Sequence, residues 1–132
     1  MENIKLRAWD ESKGYFVYPN KMEHNINLGI NIVNYFDPNE GIFCYLKGKN
    51  VRLDQYIGIK DKNRKRIFVG DILKIKAFEK VNDYINTKFT VENLHRDYCW
   101  LKDLINIAEY EIIGNIYEEF KRVRQTWRKN IK

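Results

Sequence analysis

The sequence has few of the side chains on which hydrolytic enzymes and disulfide-stabilised domains depend. Ser12 is the only serine, and no Gly-X-Ser-X-Gly motif surrounds it, which argues against a typical serine hydrolase. The two cysteines, Cys44 and Cys99, lie far apart and form no Cys-X-X-Cys pair. A disulfide framework of the kind found in small secreted domains is therefore not expected.

Long apolar segments and an apolar leader are also missing. No run approaches the roughly 20 apolar residues that cross a bilayer as a helix. The chain opens on Met1-Glu2-Asn3 rather than on a charged segment followed by an apolar one. We therefore expect no membrane contact and a cytoplasmic location.

A metal site has little support in the sequence. The side chains with suitable donor atoms lack the close pairing that holds several ligands around one ion; they are His24, Cys44, His95 and Cys99. His95 and Cys99 would share one face of a helix. Because no oxyanion-stabilising feature accompanies them, we expect Cys99 to be an ordinary buried cysteine rather than a nucleophile.

Two pairs of carboxylates are the remaining candidates for acid-base chemistry. Glu109 and Glu111 are expected on a solvated strand edge, and Glu118 and Glu119 in the first turn of a helix, where negative charge suits the helix dipole. Neither pair comes with the signature of a pocket. We predict no catalytic residues, no metal and no cofactor, and hence a protein that is not an enzyme.

The residues that are abundant favour strands. Ile, Tyr, Phe, Val and Trp dominate the apolar set, and branched and aromatic side chains pack well on a pleated surface. Alanine occurs only at positions 8, 77 and 108, so long helices are not the default. With 132 residues, 44% of them apolar, the chain is expected to form one domain over residues 1–132.

The segment 1–18 predicts an N-terminal β-hairpin. Polar and apolar residues alternate over 4–9, with Arg7 on the polar side. Residues 10–14 are rich in turn formers, and 15–18 read as the returning strand.

The segment 52–116 predicts a compact β core. A polar connection over 60–66 is followed by a short apolar step and the turn Gly70-Asp71. Residues 72–77 then alternate, with lysines on the polar face and apolar residues on the other. This order of elements suggests a small barrel of the SH3-like type.

Other stretches give weaker or mixed signals. Strands are predicted over 30–36 and 42–46, within a segment rich in Asn. The stretch 90–105 fits helical and strand spacing equally, so its structure stays open. Residues 110–116 read as a buried strand.

The tail 117–132 predicts a basic amphipathic helix. Its apolar stripe repeats every three or four residues, through Ile116, Phe120, Val123, Trp127 and Ile131. The predicted fold class is thus α+β and mainly β, with a small SH3-like barrel-type β core, an N-terminal β-hairpin and a C-terminal amphipathic helix.

Positive charge is the main functional signal. The formal net charge is +6, with a pI near 9.2, and the excess lies in segments 59–80 and 118–132. Such clusters can neutralise phosphates; the alternative is a solvated rim kept for solubility. The residues predicted to bind nucleic acid or a partner are Lys62, Arg64, Lys65, Arg66, Lys74, Lys76, Lys121, Arg124 and Arg128.

Three aromatic residues lie near these basic segments. Tyr56, Phe68 and Trp127 have rings on which unpaired bases stack in many nucleic-acid-binding proteins. We expect them to belong to the hydrophobic core instead.

Three sequence blocks, in this order, resemble those of the YopX family of phage proteins. The blocks are Ile4-Lys5-Leu6-Arg7-Ala8-Trp9-Asp10, then residues 55–63 with 67–73, and finally Tyr110-Glu111-Ile112-Ile113-Gly114-Asn115-Ile116-Tyr117-Glu118. The resemblance implies a phage or prophage origin and a host bacterial cell as the location. It implies no established activity and supplies no functional residues.

The sequence departs from the family pattern at two places. Arg64 stands where the turn of the family usually has Gly, directly after Asn63. The tail beyond Glu118 continues as a basic segment where relatives more often stop near a proline.

Two functions are consistent with these observations. The first is a non-enzymatic phage accessory protein that binds nucleic acid or a host nucleic-acid machine through a basic surface. The alternative is a protein inhibitor of a bacterial antiviral defence system, similar to an anti-CRISPR, that binds a nuclease complex. Self-association through the tail is a further expectation, since a partner subunit would cover the apolar stripe.

Overall fold

Strands account for most of the regular structure. The computed structural model describes residues 5–19, 21–25, 30–37, 42–48 and 52–130; the backbone alone is described for residues 21–25, 30–33, 37, 42, 43, 45–48 and 124–130. Within these residues the chain forms ten strands, two α-helices and one 3₁₀ helix. The predicted mainly β class is confirmed.

The chain divides into two compact units, Met1–Gln55 and Tyr56–Lys132. The prediction of one domain over residues 1–132 stays a prediction. Among the described residues, neither helix is long and apolar enough to span a bilayer.

The first unit begins with the predicted hairpin. Strand β1 spans Leu6–Asp10 and pairs antiparallel with β2, Tyr15–Val17, so the predicted hairpin is confirmed. The Asp10 carboxylate closes the turn, because its Oδ1 atom accepts hydrogen bonds from the backbone N–H groups of Ser12 and Lys13. Positive φ, at 73°, ends the turn at Gly14.

A three-stranded antiparallel meander follows. It consists of β3 (Lys21–Asn25), β4 (Ile30–Asp37) and β5 (Ile42–Gly48), with β4 in the middle. The strands predicted over 30–36 and 42–46 are therefore confirmed. The small core of this unit contains Ala8, Val17 and Tyr35.

Arg7 departs from the predicted alternation. It was placed on the polar side of β1, yet only 4% of its surface is exposed. Strand β6 (Leu53–Lys60) pairs with β1 so that Arg7 lies opposite Asp54, and Arg7 Nε is 3.3 Å from Asp54 Oδ2. The guanidinium carbon also lies 3.7 Å from the centre of the Phe16 ring. A buried carboxylate and an aromatic face thus replace the solvent that the pattern predicted.

The second unit starts in the middle of β6. The later half of β6 pairs with β7 (Arg66–Phe68), with a bulge between the pairs Tyr56↔Phe68 and Lys60↔Arg66. Gly58 lies in this bulge with φ at 94°, a conformation that a side chain would strain.

A three-stranded sheet forms the centre of the second unit. Its central strand β8 (Asp71–Ala77) pairs antiparallel with β9 (Thr87–Thr90) and β10 (Ala108–Asn115). A 3₁₀ helix, Lys80–Ile85, lies in the connection between β8 and β9. The predicted strand over 110–116 corresponds to β10.

The core of the second unit follows the predicted alternation of β8. Leu73 and Ile75 are buried, whereas Lys74 and Lys76 are exposed. The largest fully buried apolar side chains of this core are Ile67, Leu73, Ile75, Val91 and Leu101. Burial raises the pKa of Tyr110 to about 12, and its hydroxyl donates to the Leu101 carbonyl.

The stretch that the sequence left open, 90–105, becomes the end of β9 and helix α1, Leu94–Leu104. The Asn93 side chain caps the helix by accepting from the Arg96 N–H, and Asp97 Oδ2 accepts from the N–H groups of Glu92 and Asn93. Burial alone would raise the pKa of Asp97, but these backbone hydrogen bonds and the neighbouring Arg96 lower it below its ordinary value. Local capping thus decided between helix and strand.

Helix α2, Ile116–Asn130, follows β10 directly. Asn115 Oδ1 accepts hydrogen bonds from the N–H groups of Tyr117 and Glu118, which fixes where the helix begins. Glu118 and Glu119 lie in its first turn, as the sequence predicted.

Candidate nucleic-acid interface

The hairpin between β6 and β7 concentrates positive charge. We define the basic hairpin as Lys60, Arg64, Lys65 and Arg66, all of which are exposed. Lys60 lies directly opposite Arg66 in the strand pairing. Like charges in this position destabilise a strand pair. Within the described part of the chain, none of the four side chains forms an ion pair.

The turn of this hairpin is built around the buried carboxylate of Asp61. Its Oδ1 atom accepts from the N–H groups of Asn63 and Lys65, both at 2.9 Å. Its Oδ2 atom accepts from the N–H of Ile112 at 3.1 Å, which attaches the turn to β10. The Lys62 N–H adds a second attachment by donating to the Tyr110 carbonyl at 2.8 Å. The basic side chains are therefore held on a fixed backbone.

Arg64 adopts a backbone conformation that normally favours glycine. Its φ is 66°, in the left-handed region, and it is the one described non-glycine residue with a positive φ. Left-handed backbone costs an ordinary residue about 1–2 kcal/mol. The protein thus has a strained backbone at the tip of the basic hairpin, where the residue is charged.

Replacing Arg64 by Gly should stabilise the fold. The variant Arg64→Gly relieves the left-handed strain, and we expect the free energy of unfolding to rise by about 0.5–1 kcal/mol after the extra unfolded-state entropy of glycine is subtracted. Urea denaturation followed by circular dichroism measures the change. Arg64→Ala is the matched control, since it removes the same charge but retains the strain. Equal stability of the two variants would contradict the strain at this position.

Lys62 was predicted as a binding residue, but it is engaged within the protein. Its Nζ atom lies 2.8 Å from Glu111 Oε2 and 3.9 Å from Glu109 Oε1. The hydrogen bond to Glu111, with the charges of both carboxylates, raises the pKa of Lys62. The same contact lowers the pKa of Glu111. Lys62 therefore stays charged, but the two carboxylates already neutralise that charge, so it offers a ligand less net positive charge than its neighbours in the turn.

Lys74 and Lys76 lie on the solvent side of the central sheet. In the register of β8 and β10, Lys74 is opposite Glu111 and Lys76 opposite Glu109. On the other side, Lys74 faces Lys88 of β9. This surface mixes both signs: its three lysines outnumber its two carboxylates, and Lys62 adds a fourth positive charge. Lys88 was absent from the predicted set, because only the register reveals its position beside Lys74.

The remaining predicted residues lie on α2. Lys121 is exposed. Arg124 and Arg128 belong to the same helix, but their side chains lie outside the described ones. The structure thus brings Arg64, Lys65 and Arg66 together in one turn, and Lys74 and Lys76 together on one strand.

The aromatic residues near the basic hairpin belong mainly to the protein interior. Phe68 is buried, as expected, and Tyr56 is half-buried with its ring centre 5.8 Å from that of Phe68. The Arg66 guanidinium carbon lies 5.7 Å from the centre of the Tyr56 ring. The side chain of Trp127 lies outside the described ones. Among the described aromatic side chains of this unit, Tyr84, Phe120 and Phe78 are the most exposed, and the sequence singled out only Phe120, as part of the apolar stripe of the tail.

Among the side chains that the structure describes, the groups considered for catalysis form no larger cluster. No three His, Cys, Asp or Glu side chains in the described ranges are close enough to hold a metal ion together. His95 Nε2 and Cys99 Sγ are 3.9 Å apart on α1, the shared face that the sequence predicted. The expected burial of Cys99 is wrong: its side chain is exposed, because this face of α1 is turned away from the core.

The sequence blocks that gave the family resemblance contain the residues that shape the turns. Asp10 closes the first hairpin, and Asp61 holds the basic hairpin. Asp71 Oδ2 accepts from the Phe68 N–H at 2.8 Å, and Asn115 caps α2. All four side chains are buried. The blocks therefore contain determinants of the backbone path.

Comparison with known proteins confirms the family resemblance. No curated protein and no solved structure matches the chain. The family model described as YopX protein matches residues 5–123, which include all of the basic hairpin and the central sheet. This match supports the predicted phage origin. The chain belongs to the YopX protein family.

Proposed function

We propose that this chain is a non-enzymatic phage accessory protein that binds nucleic acid, alone or within a host nucleic-acid machine, through the basic hairpin. The observation that carries the proposal is the direct opposition of Lys60 and Arg66, with Arg64 and Lys65 between them. Repulsion within the hairpin costs stability, and a bound polyanion removes that cost. A cytoplasmic location in the host bacterial cell is part of this proposal.

The rigidity of the turn supports the same function. A binding group that is already held in place loses less conformational entropy when its ligand arrives. The Asp61 hydrogen bonds to the turn and to β10 fix the backbone under Arg64 and Lys65. Tyr56, beside Arg66, limits the motion of that guanidinium as well.

The finer fold assignment belongs to this proposal. We infer an SH3-like barrel-type core from β6 to β10. The basis is the attachment of the β6–β7 turn to the edge of the β10–β8–β9 sheet through Asp61 and Lys62. We further infer that α2 is the predicted amphipathic helix, with Phe120 and Val123 on its apolar stripe. Self-association through this stripe is testable by gel filtration with and without residues 118–132.

Charge reversal at Lys60 tests the proposed function. We expect the wild-type protein to bind DNA or RNA oligonucleotides with an affinity that falls as salt rises, because each phosphate contact releases a counterion. The variant Lys60→Glu should bind about tenfold more weakly at low salt. Fluorescence anisotropy with labelled single-stranded DNA, duplex DNA and RNA measures both effects. Absence of binding to all three by the wild-type protein at low salt would overturn the proposal.

The same variant carries its own control for folding. Lys60→Glu replaces a like-charge pair by an opposite-charge pair with Arg66, so the fold should become more stable by up to about 0.5 kcal/mol. A more stable protein that binds more weakly cannot be explained by unfolding. Lys102→Glu on α1 changes the net charge by the same amount at an exposed site away from the hairpin residues in sequence. If the basic hairpin is the binding site, the affinity of Lys102→Glu for nucleic acid should stay within about threefold of the wild-type value.

The alternative function, a protein inhibitor of an antiviral defence system, stays a prediction. Affinity purification from a host lysate, with and without nuclease treatment, distinguishes it from direct nucleic-acid binding. One dominant nuclease complex that persists after the treatment would favour the inhibitor. If the co-purified proteins are lost after nuclease treatment, direct nucleic-acid binding is favoured.

A further inference from the structure

The connection between β8 and β9 exposes two aromatic rings. It comprises residues 78–86 and includes the 3₁₀ helix. The side chains of Phe78 and Tyr84 are 61% and 78% exposed, and Val81 between them is 76% exposed. Several exposed apolar side chains close together mark a surface that contacts a ligand or partner more often than a single exposed apolar side chain does.

The backbone of this connection is held in place at both ends. The Phe78 N–H donates to the Ile107 carbonyl at 2.9 Å and so extends the pairing of β8 with β10 by one residue. The Ala77 N–H donates to Asn86 Oδ1 at 2.7 Å, which joins the end of β8 to the start of β9. The rings are therefore presented from a backbone that the sheet supports.

Phe78 continues the lysine row of β8. Side chains alternate between the two faces of a strand, so Lys74, Lys76 and Phe78 lie on one face at intervals of about 7 Å. Lys88 of β9 lies opposite Lys74 on this face. Lys80 adds a further positive charge within the connection, and Glu79 and Asp83 are its exposed acidic residues. The β8–β9 hairpin itself therefore exposes more basic than acidic side chains beside the two rings. On the same face of the sheet, Glu109 and Glu111 of β10 lie opposite Lys76 and Lys74, whereas Lys88 has Lys74 as its partner.

We propose that Phe78 and Tyr84 form a stacking site for the bases of single-stranded nucleic acid, with the phosphates contacted by Lys74, Lys76 and Lys88. Aromatic rings next to a basic track are the usual means of binding single strands without sequence preference. A duplex hides the faces of its bases within its own stack, so it gains nothing from these rings. The site rests on the proposed function and narrows it to unpaired strands.

Leucine substitutions separate stacking from simple hydrophobic contact. Phe78→Leu and Tyr84→Leu retain apolar surface but lose the aromatic face, and both positions are exposed, so the fold should be unaffected. We expect each variant to bind labelled oligo(dT) about tenfold more weakly than the wild type. Binding of duplex DNA should stay within about twofold of the wild-type value, because it uses charge alone. Tyr84→Trp should retain the affinity for oligo(dT).

Val81→Ala is the matched control, since Val81 is equally exposed in the same connection but has no ring. It should bind oligo(dT) as the wild type does. Wild-type affinity for oligo(dT) in both leucine variants, while Lys60→Glu still weakens binding, would overturn the stacking site and leave the proposed function standing. If Val81→Ala loses as much affinity for oligo(dT) as the leucine variants do, the stacking site is also overturned, in favour of an apolar protein-docking surface. If the wild type binds no nucleic acid at low salt, both the proposed function and the stacking site fail.

Discussion

Asp61→Ala should lower the free energy of unfolding by about 3 kcal/mol. Each hydrogen bond to a charged group contributes about 1.5–3 kcal/mol and three are lost together, but the variant also no longer has to bury a charged carboxylate, which offsets part of that sum. The carboxylate accepts from the N–H groups of Asn63, Lys65 and Ile112. Without it, the turn loses its internal support and its attachment to β10. Urea denaturation followed by circular dichroism measures the loss.

Asp61→Asn is the graded control for this prediction. Its single carbonyl oxygen can still accept from Asn63 and Lys65, but its amide group meets the Ile112 N–H, which is also a donor. We expect the free energy of unfolding to fall by about half as much as in Asp61→Ala. A loss below about 1 kcal/mol for Asp61→Ala would mean that the turn does not depend on this carboxylate. The alanine variant should also bind nucleic acid more weakly, although every basic side chain remains, because the hairpin is no longer held rigidly.

Arg7→Ala should destabilise the first unit by about 3 kcal/mol, because removing one partner of a buried ion pair leaves the other buried charge with less compensation. Arg7 is 4% exposed and Asp54 only 1% exposed. Arg52 Nε also lies 3.3 Å from Asp54, at Oδ1, so some compensation remains and the loss should fall at the lower end of the range for buried pairs. Thermal and urea denaturation of the variant measure it.

Arg52→Ala is the matched control for the buried pair. Both arginines contact Asp54 at 3.3 Å, but the side chain of Arg52 is half exposed. Solvent screens an exposed partner, so this variant should lose less than about 1 kcal/mol. Similar losses for Arg7→Ala and Arg52→Ala would show that the burial of Arg7 does not determine its contribution.

Several elements could be predicted because short-range patterns determine them. The alternation of β8 correctly separated its buried residues from its lysines, and the turn chemistry of residues 10–14 correctly predicted the first hairpin. The stretch 90–105 could not be decided from spacing alone. Its helix depends on caps in which the side chains of Asn93 and Asp97 accept hydrogen bonds from backbone N–H groups close in sequence. Such caps are readable in a sequence only after the helix is assumed.

The candidate site was predictable in composition but only partly in arrangement. The segment 59–80 was correctly recognised as basic, yet Lys62 in its middle turned out to contact Glu111, 49 positions away in sequence. Cys99 was expected to be buried and is exposed. The exposure of Phe78 and Tyr84 could not be predicted, because the sequence does not distinguish an aromatic residue of the core from one on a surface connection.

The amino-acid sequence by itself determined the family, the excess of positive charge and the mainly β class, since these depend on composition, short periodicity and ordered motifs. Only the tertiary structure decided which charges remain available to a ligand. That decision depends on strand register, which places Lys60 opposite Arg66 and Lys74 opposite Lys88 while Lys62 reaches two carboxylates. Register joins residues far apart in sequence, and electrostatic interactions act over a few ångströms of space, so no local pattern contains them.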